Sequence, residues 1–221
     1  TDFSPNRLEA TKKTAKSFIS NRKQDRIGIL VFAGETFIQC PLTIDKSILM
    51  ELMDDIAIAE QSYDGTAIGM AIANGTNRLR KSDSKSKVMI LLSDGSNNAG
   101  ELDPLTAADL ASKFDIKIYT IGAGTNQDVS FIPGRGYIRN EIDEETLKLI
   151  AEKTNGKYFR ATDMEGLEQI YQTIDQLEKT EVKISQFTSY KDLFGFLLIS
   201  AVLISMVAQF FEKIIIRRKF W

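Results

Sequence analysis

Two short segments of the chain carry oxygen-bearing side chains that could bind a divalent metal ion. One is Ser93–Ser96, in which the carboxylate of Asp94 follows an apolar run. The other is Ser62–Thr66, which places the Thr66 hydroxyl at the start of a helical pattern. A carboxylate, a hydroxyl and bound waters are the hard oxygen ligands that Mg²⁺ prefers. On local grounds alone, a threonine here is more typical of a helix cap and an aspartate of a turn.

Whether the two segments meet depends on the fold that the apolar periodicity predicts. Near-continuous apolar runs, typical of strands buried on both faces, alternate with segments whose apolar residues recur at helical spacing. The pattern predicts strands at 26–33, 88–93, 117–124 and 157–161, and helices at 7–19, 46–54, 65–79, 104–114, 143–153 and 164–178. The run FIQCPL is predicted to form a hairpin with the first strand. This order predicts an α/β fold, with a doubly wound, mostly parallel sheet flanked by helices.

In such a sheet, ligands bind beyond the carboxyl ends of the strands, where the loops diverge. Asp94 stands at one of these ends. A second end, Gly122–Thr125, has the glycines of a phosphate loop, but it lacks the dinucleotide spacing and no helical pattern follows at once. The segment after it, 125–141, is predicted to be irregular, with a turn at Pro133–Gly136. The acids at 141–145 could suggest calcium, although acids at a helix start ordinarily complement the helix dipole.

The composition excludes several classes of protein. The chain has no histidine, so Ser-His-Asp and Cys-His catalysis and imidazole–zinc sites are excluded. The residues before the uncharged stretch near the C-terminus contain more acids than bases, which argues against nucleic acid as a partner, because nucleic acid binding uses clustered cations. Cys40 is the single cysteine, so it has no partner for an internal disulfide, and we predict that it is a small buried residue.

The stretch 193–211, LFGFLLISAVLISMVAQFF, has no formal charge and predicts a transmembrane helix over 192–216. The alternative is a buried helix of a soluble core, but such a helix normally has a polar face. Basic residues follow the stretch at Lys213, Arg217, Arg218 and Lys219. The positive-inside rule then predicts a cytoplasmic tail at 217–221 and places the large domain on the other side of the membrane.

Two motifs together strengthen the metal interpretation. The strand ending in LLSDG, preceded by DGTAIGMAI, resembles the von Willebrand factor A domain and its metal-ion-dependent adhesion site. The resemblance implies that Thr66 coordinates the ion directly and that Asp94 does so mostly through water. It implies Mg²⁺, with Mn²⁺ or Ca²⁺ as alternatives, and an open position for a carboxylate of a partner protein.

Longer stretches narrow the resemblance to the Bat (aerotolerance) membrane proteins of bacteria, which include BatA- and BatB-like members. These stretches are RIGILVFAGETFIQCPLTID, EIDEETLKLIAEKTNGKYFRATD and LEQIYQTIDQLEKTEVK. One departure concerns the family's first metal motif, Asp-x-Ser-x-Ser, which follows its first strand and would stand just before Thr1. We therefore expect the metal site to be incomplete within these residues, and a central strand of the sheet to be contributed from upstream.

The predicted organisation is a von Willebrand A-type domain at 1–178, a polar connector at 179–191, the transmembrane helix and the basic tail. The resemblance implies a bacterial inner-membrane protein with a periplasmic domain. It also implies work with other Bat proteins and a MoxR-type AAA+ ATPase in envelope stress tolerance or protein maturation. We expect a non-enzymatic interaction module. The alternatives are a metal-dependent hydrolase, for which general acid–base groups are few, and an accessory subunit of a channel or transporter.

Overall fold

The structure, a computed structural model, describes residues 3–22, 24–124, 129–132, 136–139, 142–186 and 198–209. For 129–132, 136–139 and 180–186 only the backbone is described. The chain divides into two compact units, Thr1–Glu178 and Lys179–Trp221. The first unit contains the predicted α/β domain.

Helices and strands alternate through the first unit. The helices are α1 (Arg7–Asn21), α2 (Lys46–Asp54), α3 (Ile68–Leu79), α4 (Pro104–Ser112), α5 (Glu144–Lys153) and α6 (Met164–Gln186). The strands are β1 (Ile27–Phe32), β2 (Thr36–Thr43), β3 (Lys87–Ser93), β4 (Ile116–Ala123), β5 (Val129–Ile132), β6 (Gly136–Arg139) and β7 (Tyr158–Ala161). A single 3₁₀ turn at Gln61–Tyr63 precedes α3.

The described strands form three separate sheets. Strand β4 lies between β3 and β7 and is parallel to both, whereas β1–β2 and β5–β6 are antiparallel hairpins. Among the described residues, β1 and β3 are not paired with each other, although α3 contacts both strands. The parallel part of the sheet is therefore three strands wide, and α3 is one of the elements that join it to the first hairpin.

Strand β4 separates two hydrophobic cores. Ile116 and Ile118 point into a core formed with α3, α4 and α5, whereas Tyr119 and Ile121 point into a core formed with α1 and α6. This alternation follows from the two-residue period of a strand, and it explains the continuous apolar run in the sequence. A third core lies between α1, α2 and the first hairpin and contains Cys40. Cys40 is 2% exposed, so its predicted burial is confirmed, and this burial raises the pKa of its thiol.

Aspartates occupy the N-cap position of three of the described helices. Asp45, Asp103 and Asp143 cap α2, α4 and α5, and each accepts hydrogen bonds from backbone N–H groups of the first helical turn. Such caps satisfy donors that have no partner within the helix. The hydrogen bond from Ser47 lowers the pKa of Asp45, and the backbone hydrogen bond from Thr106 lowers that of Asp103.

The predicted α/β fold with a parallel sheet flanked by helices is confirmed, and three details differ. Residues 125–141 are not wholly irregular, because β5 and β6 form a hairpin there; the predicted turn between them lies outside the described residues, apart from Gly136. The predicted connector is helical as far as Gln186, because α6 continues through its first residues. Finally, the strands do not form one continuous sheet among the described residues.

In the part of the chain that the structure describes, no helix combines the length and the apolar character that a membrane crossing requires. The predicted span at 192–216 is described only at 198–209, where it is helical. The rest of this span and the basic tail lie outside the described residues, so the transmembrane helix remains a prediction.

Two glycines of α3 provide a matched test of its packing. A Cβ on Gly69 would overlap the backbone carbonyl oxygen of Leu102, whereas one on Gly75 would press only on the terminal methyl of Met89. We expect Gly69→Ala to lower the free energy of unfolding by about 2 kcal/mol, because backbone cannot move aside. Gly75→Ala should change it by no more than about 1 kcal/mol, since the gain in helix propensity offsets the displacement of Met89. Urea unfolding of both variants measures the difference, and equal losses would contradict this account.

Candidate metal centre

The two predicted metal-ligand residues lie at the same edge of the sheet. Asp94 directly follows β3, and Thr66 lies two residues before α3. A Cβ built on Gly95 would lie 3.4 Å from Thr66 Oγ1, so the Thr66 hydroxyl faces the residue next to Asp94. The structure therefore brings together the two loops that the sequence selected.

Two asparagines of the loop after β3 hold the Thr66 loop in place. Asn98 Oδ1 accepts a hydrogen bond from the Thr66 N–H at 2.7 Å, and the Thr66 carbonyl accepts from the N–H groups of Asn98 and Ala99 at 3.1 and 3.3 Å. Asn97 Oδ1 accepts from the Ile68 N–H at 2.8 Å and thereby caps α3 from a distant loop. Neither role was predicted from the sequence. Their only signal is an Asn-Asn pair shortly after the strand end.

This arrangement contradicts the interpretation of Thr66 as a helix cap. The N-cap of α3 is Ala67, and no side chain of α3's own segment caps the helix there. Among the described residues, Thr66 Oγ1 makes no hydrogen bond, although the backbone of Thr66 is fixed on both sides. A half-buried hydroxyl that is held in place without serving the helix is free to bind an ion.

The hairpin between β1 and β2 supports the same loop from the other side. The Ala33 carbonyl accepts from the Ala67 N–H at 2.7 Å, and the Gly34 N–H donates to the Tyr63 carbonyl at 2.8 Å. Gly65 has a φ of 129°, a conformation that side chains oppose, and a Cβ there would lie 2.9 Å from that of Ala99. The backbone before Thr66 is thus fitted closely between two neighbouring loops.

Asp94 is also more than a turn residue. The turn after β3 is closed by Ser93, whose Oγ donates to the Gly95 carbonyl at 3.1 Å and accepts from the Gly95 N–H at 3.4 Å. The Asp94 carboxylate is 58% exposed, and its described partner is Arg7, whose Nη1 lies 3.4 Å from Asp94 Oδ2. The turn itself does not use the carboxylate, which is largely exposed and therefore accessible to an ion or to a water on an ion.

The described residues supply part of a divalent-metal site. A hydroxyl and a carboxylate are suitable oxygen donors for Mg²⁺, which takes about six ligands. No group of three or more His, Cys, Asp and Glu residues that could hold an ion occurs among the described residues. Thr66 and Asp94 therefore fit such a site as two of its ligands, and the remaining positions need other donors.

The alternative sites have structural explanations. Strand β4 is followed by the β5–β6 hairpin rather than by a helix, so Gly122–Thr125 does not have the strand-loop-helix arrangement of a phosphate loop, and Thr125 itself lies outside the described residues. In the acidic segment, Asp143 caps α5, and Glu144 pairs with Lys148 and Arg160. The hydrogen bond from Lys148 lowers the pKa of Glu144.

Comparison with known proteins identifies the family. The model of the von Willebrand factor type A domain matches residues 2–173. The chain belongs to this family. Two solved structures of Bacteroides proteins are each 26% identical to this chain. An aerotolerance-related membrane protein from Bacteroides fragilis has a TM-score of 0.67, and the match covers 79% of this chain and 89% of that one. BatB from Bacteroides thetaiotaomicron has a TM-score of 0.68, and the match covers 80% of this chain and 91% of that one. The chain is thus similar to Bat proteins, as predicted.

Curated relatives are longer than this chain. An uncharacterized protein of Borreliella burgdorferi is 29% identical over an alignment of 221 positions, which covers 97% of this chain and 64% of that protein. A UPF0353 protein of Nocardia farcinica is 26% identical over 194 residues, and the match covers 80% of this chain and 58% of that protein. The chain therefore spans about three fifths of the length of these relatives.

A more distant structure shares the fold alone. Proximal thread matrix protein 1 of the mussel byssus, solved with zinc in its metal-ion-dependent adhesion site, is 23% identical with a TM-score of 0.63, covering 79% of this chain and 41% of that one.

Removal of the Asn97 cap tests the contact between the two loops. We expect Asn97→Ala to lower the free energy of unfolding by about 1–2 kcal/mol, because the buried N–H of Ile68 loses its acceptor. Amide hydrogen exchange at Ile68 should accelerate as well. Asn77→Ala, an exposed change on the same helix, is the control and should cost less than about 0.5 kcal/mol. Equal effects in the two variants would show that Asn97 does not cap α3.

Proposed function

We propose that this protein is a membrane-anchored interaction module that binds a carboxylate of a partner protein through a divalent ion held by Thr66 and Asp94. The observation that carries the proposal is that these two side chains lie in adjoining, mutually hydrogen-bonded loops, where neither the cap of α3 nor the turn after β3 uses them. The family's common role in protein interaction supports it. We propose no catalytic activity.

The ion proposed is Mg²⁺, with Mn²⁺ or Ca²⁺ as alternatives. Thr66 would bind it through the hydroxyl, and Asp94 would bind it mostly through water. The ion would supply an open coordination position for the partner's carboxylate. Oxygen donors favour a hard cation. Zinc occupies the adhesion site of the byssus protein, which supports a divalent ion at this place in the fold but not the choice of metal.

The remaining ligands are proposed to come from an Asp-x-Ser-x-Ser motif after a further strand. Strands β1 and β3 contact the same helix, α3, without pairing with each other among the described residues. A strand between them would satisfy the backbone groups along both edges. Its carboxyl end would then lie at the same edge as Asp94, if it ran parallel to β3.

Membrane anchoring is proposed through 192–216. Within this span, the helical residues 198–209 expose large apolar side chains around the helix, including Ile199 at 63% and Ile204 at 71%. A helix that is apolar all round suits lipid rather than water. The proposed organisation keeps a domain at 1–178, a connecting segment at 179–191 and a cytoplasmic tail at 217–221, in a bacterial inner membrane with the domain in the periplasm.

The proposed partners are other Bat-type membrane proteins and a MoxR-type AAA+ ATPase, in envelope stress tolerance or protein maturation. The similarity to an aerotolerance-related membrane protein and to BatB supports this context. A metal-dependent hydrolase gains no support, because among the described residues the group paired with Asp94 is the Arg7 guanidinium and not a second carboxylate. No observation favours a channel or transporter subunit.

Titration of the full-length protein with Mn²⁺ tests the metal site. Thr66→Ala and Asp94→Ala should each weaken binding by about tenfold or more, because each removes a donor to the ion or to its water. Folding should change little, since both residues lie in loops. Asp143→Ala removes a carboxylate that caps α5 and should leave the affinity unchanged. Equal affinity in the wild type and in both site variants would refute the proposed site.

Protease accessibility tests the membrane orientation. Protease added outside spheroplasts should digest residues 1–190 and spare the tail, because its Arg217, Arg218 and Lys219 oppose transfer across the bilayer. An epitope on each end of the protein reports which part survives. Digestion of the domain only after the membrane has been opened would reverse the proposed orientation, and release of the intact protein by carbonate washing would exclude a span.

A further inference from the structure

Arg7 is held at the edge of the proposed metal site. It is the first residue of α1, directly after Asn6, whose side chain caps the helix by accepting from the Glu9 N–H. Phe3, four residues earlier, is 2% exposed and packs in the same core as Ala123, the last residue of β4. The start of α1 is therefore anchored beside the carboxyl end of β4.

The guanidinium of Arg7 lies against a glycine. Gly124 has a φ of 124°, and a Cβ on this residue would lie 2.9 Å from both Arg7 Cζ and Nη2. Because Gly124 has no side chain, the guanidinium can pack directly against its backbone. The Arg7 side chain is 24% exposed, whereas that of Asp94 is 58% exposed. Of the two partners, the arginine is therefore the more confined and the carboxylate has the more freedom to turn.

The position of Arg7 is unfavourable for the helix itself. A cation in the first turn is repelled by the positive end of the helix dipole, where acids are preferred. The described acid of this turn, Glu9, contacts Lys12. The Asp94 carboxylate, 3.4 Å from Arg7 Nη1, offsets this repulsion. The arginine thus contributes more to the strand-end site than to α1.

We propose that Arg7 is a built-in counter-cation of Asp94 that sets the affinity of the site for its divalent ion. This inference rests on the metal site proposed above. Arg7 neutralises the carboxylate when no ion is bound, and it repels the ion when the ion approaches. The divalent ion must draw Asp94, or its bound water, away from the guanidinium, so Arg7 lowers the affinity and makes binding reversible.

Charge repulsion and positioning by Arg7 predict opposite results. If Arg7 mainly oriented Asp94, its removal would weaken ion binding. If its charge mainly repels the ion, removal should tighten binding by about tenfold, the size expected for one like charge roughly 6 Å from a divalent ion near water. The 3.4 Å contact is long for a charged hydrogen bond, and Asp94 is mostly exposed, so little orientation is lost with it.

The test is calorimetric titration of the full-length protein with Mn²⁺. Arg7→Gln and Arg7→Met remove the charge, and both should bind Mn²⁺ about tenfold more tightly than the wild type. Arg7→Lys keeps the charge and should bind close to the wild type. Arg26→Gln is the matched control, because it makes the same charge change at an exposed residue before the amino end of β1, and it should have no effect.

The outcomes separate this inference from the proposed site. Unchanged or weaker binding in both neutral variants, with Thr66→Ala still impaired, would overturn the role of Arg7 and leave the metal site standing. Binding tighter than that of the wild type in Arg7→Gln combined with Asp94→Asn would overturn the inference, since the ion would not depend on Asp94. The absence of Mn²⁺ binding in every variant would overturn both proposals. Tighter binding in the neutral variants alone supports both.

Discussion

Strand β4 is buried on both faces, and much of the fold follows from this constraint. Ile118 and Ile121 point to opposite sides, so each face of the strand requires its own layer of helices to exclude water. Parallel pairing with β3 and β7 imposes a further requirement, because parallel strands cannot be joined by tight turns and need long crossovers. The carboxyl ends of these strands consequently lie at one edge, and the loop that carries Asp94 begins there.

A second constraint arises at the start of α3. Ile68 is fully buried, so its N–H needs an acceptor within the protein, and the residue in the N-cap position, Ala67, has none in its side chain. Asn97 supplies the oxygen, which obliges the loop after β3 to fold back on α3. The same fold-back brings Asp94 beside the Thr66 loop. The helix cap and the candidate metal centre are therefore two results of one packing arrangement.

Apolar periodicity and the strand-end rule are enough to predict the helices, the longer strands and the edge of the sheet where a ligand would bind. Helices and strands with strong apolar patterns are located closely. The strand-end rule points to the loop of Asp94, whereas the pairing of Asp94 with Thr66 as metal ligands follows from the resemblance to the von Willebrand factor A domain and stays a prediction. The β5–β6 hairpin was missed because its strands are only four residues long and flank a Pro-Gly turn. The extension of α6 was missed because 179–186 is polar and reads as a connector. Asn97, Asn98 and Arg7 act through tertiary contacts, and the Asn-Asn pair after β3 is the only local signal that the sequence offers for them.

The Arg7–Asp94 ion pair at the strand-end site is weak enough for a divalent ion to displace it. A buried ion pair would hold Asp94 firmly, because separation of its charges in a medium of low dielectric is strongly unfavourable. An exposed pair such as Arg7–Asp94 contributes at most about 1 kcal/mol, so an ion of twice the charge can compete for the carboxylate. The guanidinium remains packed against Gly124 in either case, since this contact does not involve Asp94. A confined cation beside an exposed carboxylate would thus keep the proposed site charge-balanced without metal and still let it accept one.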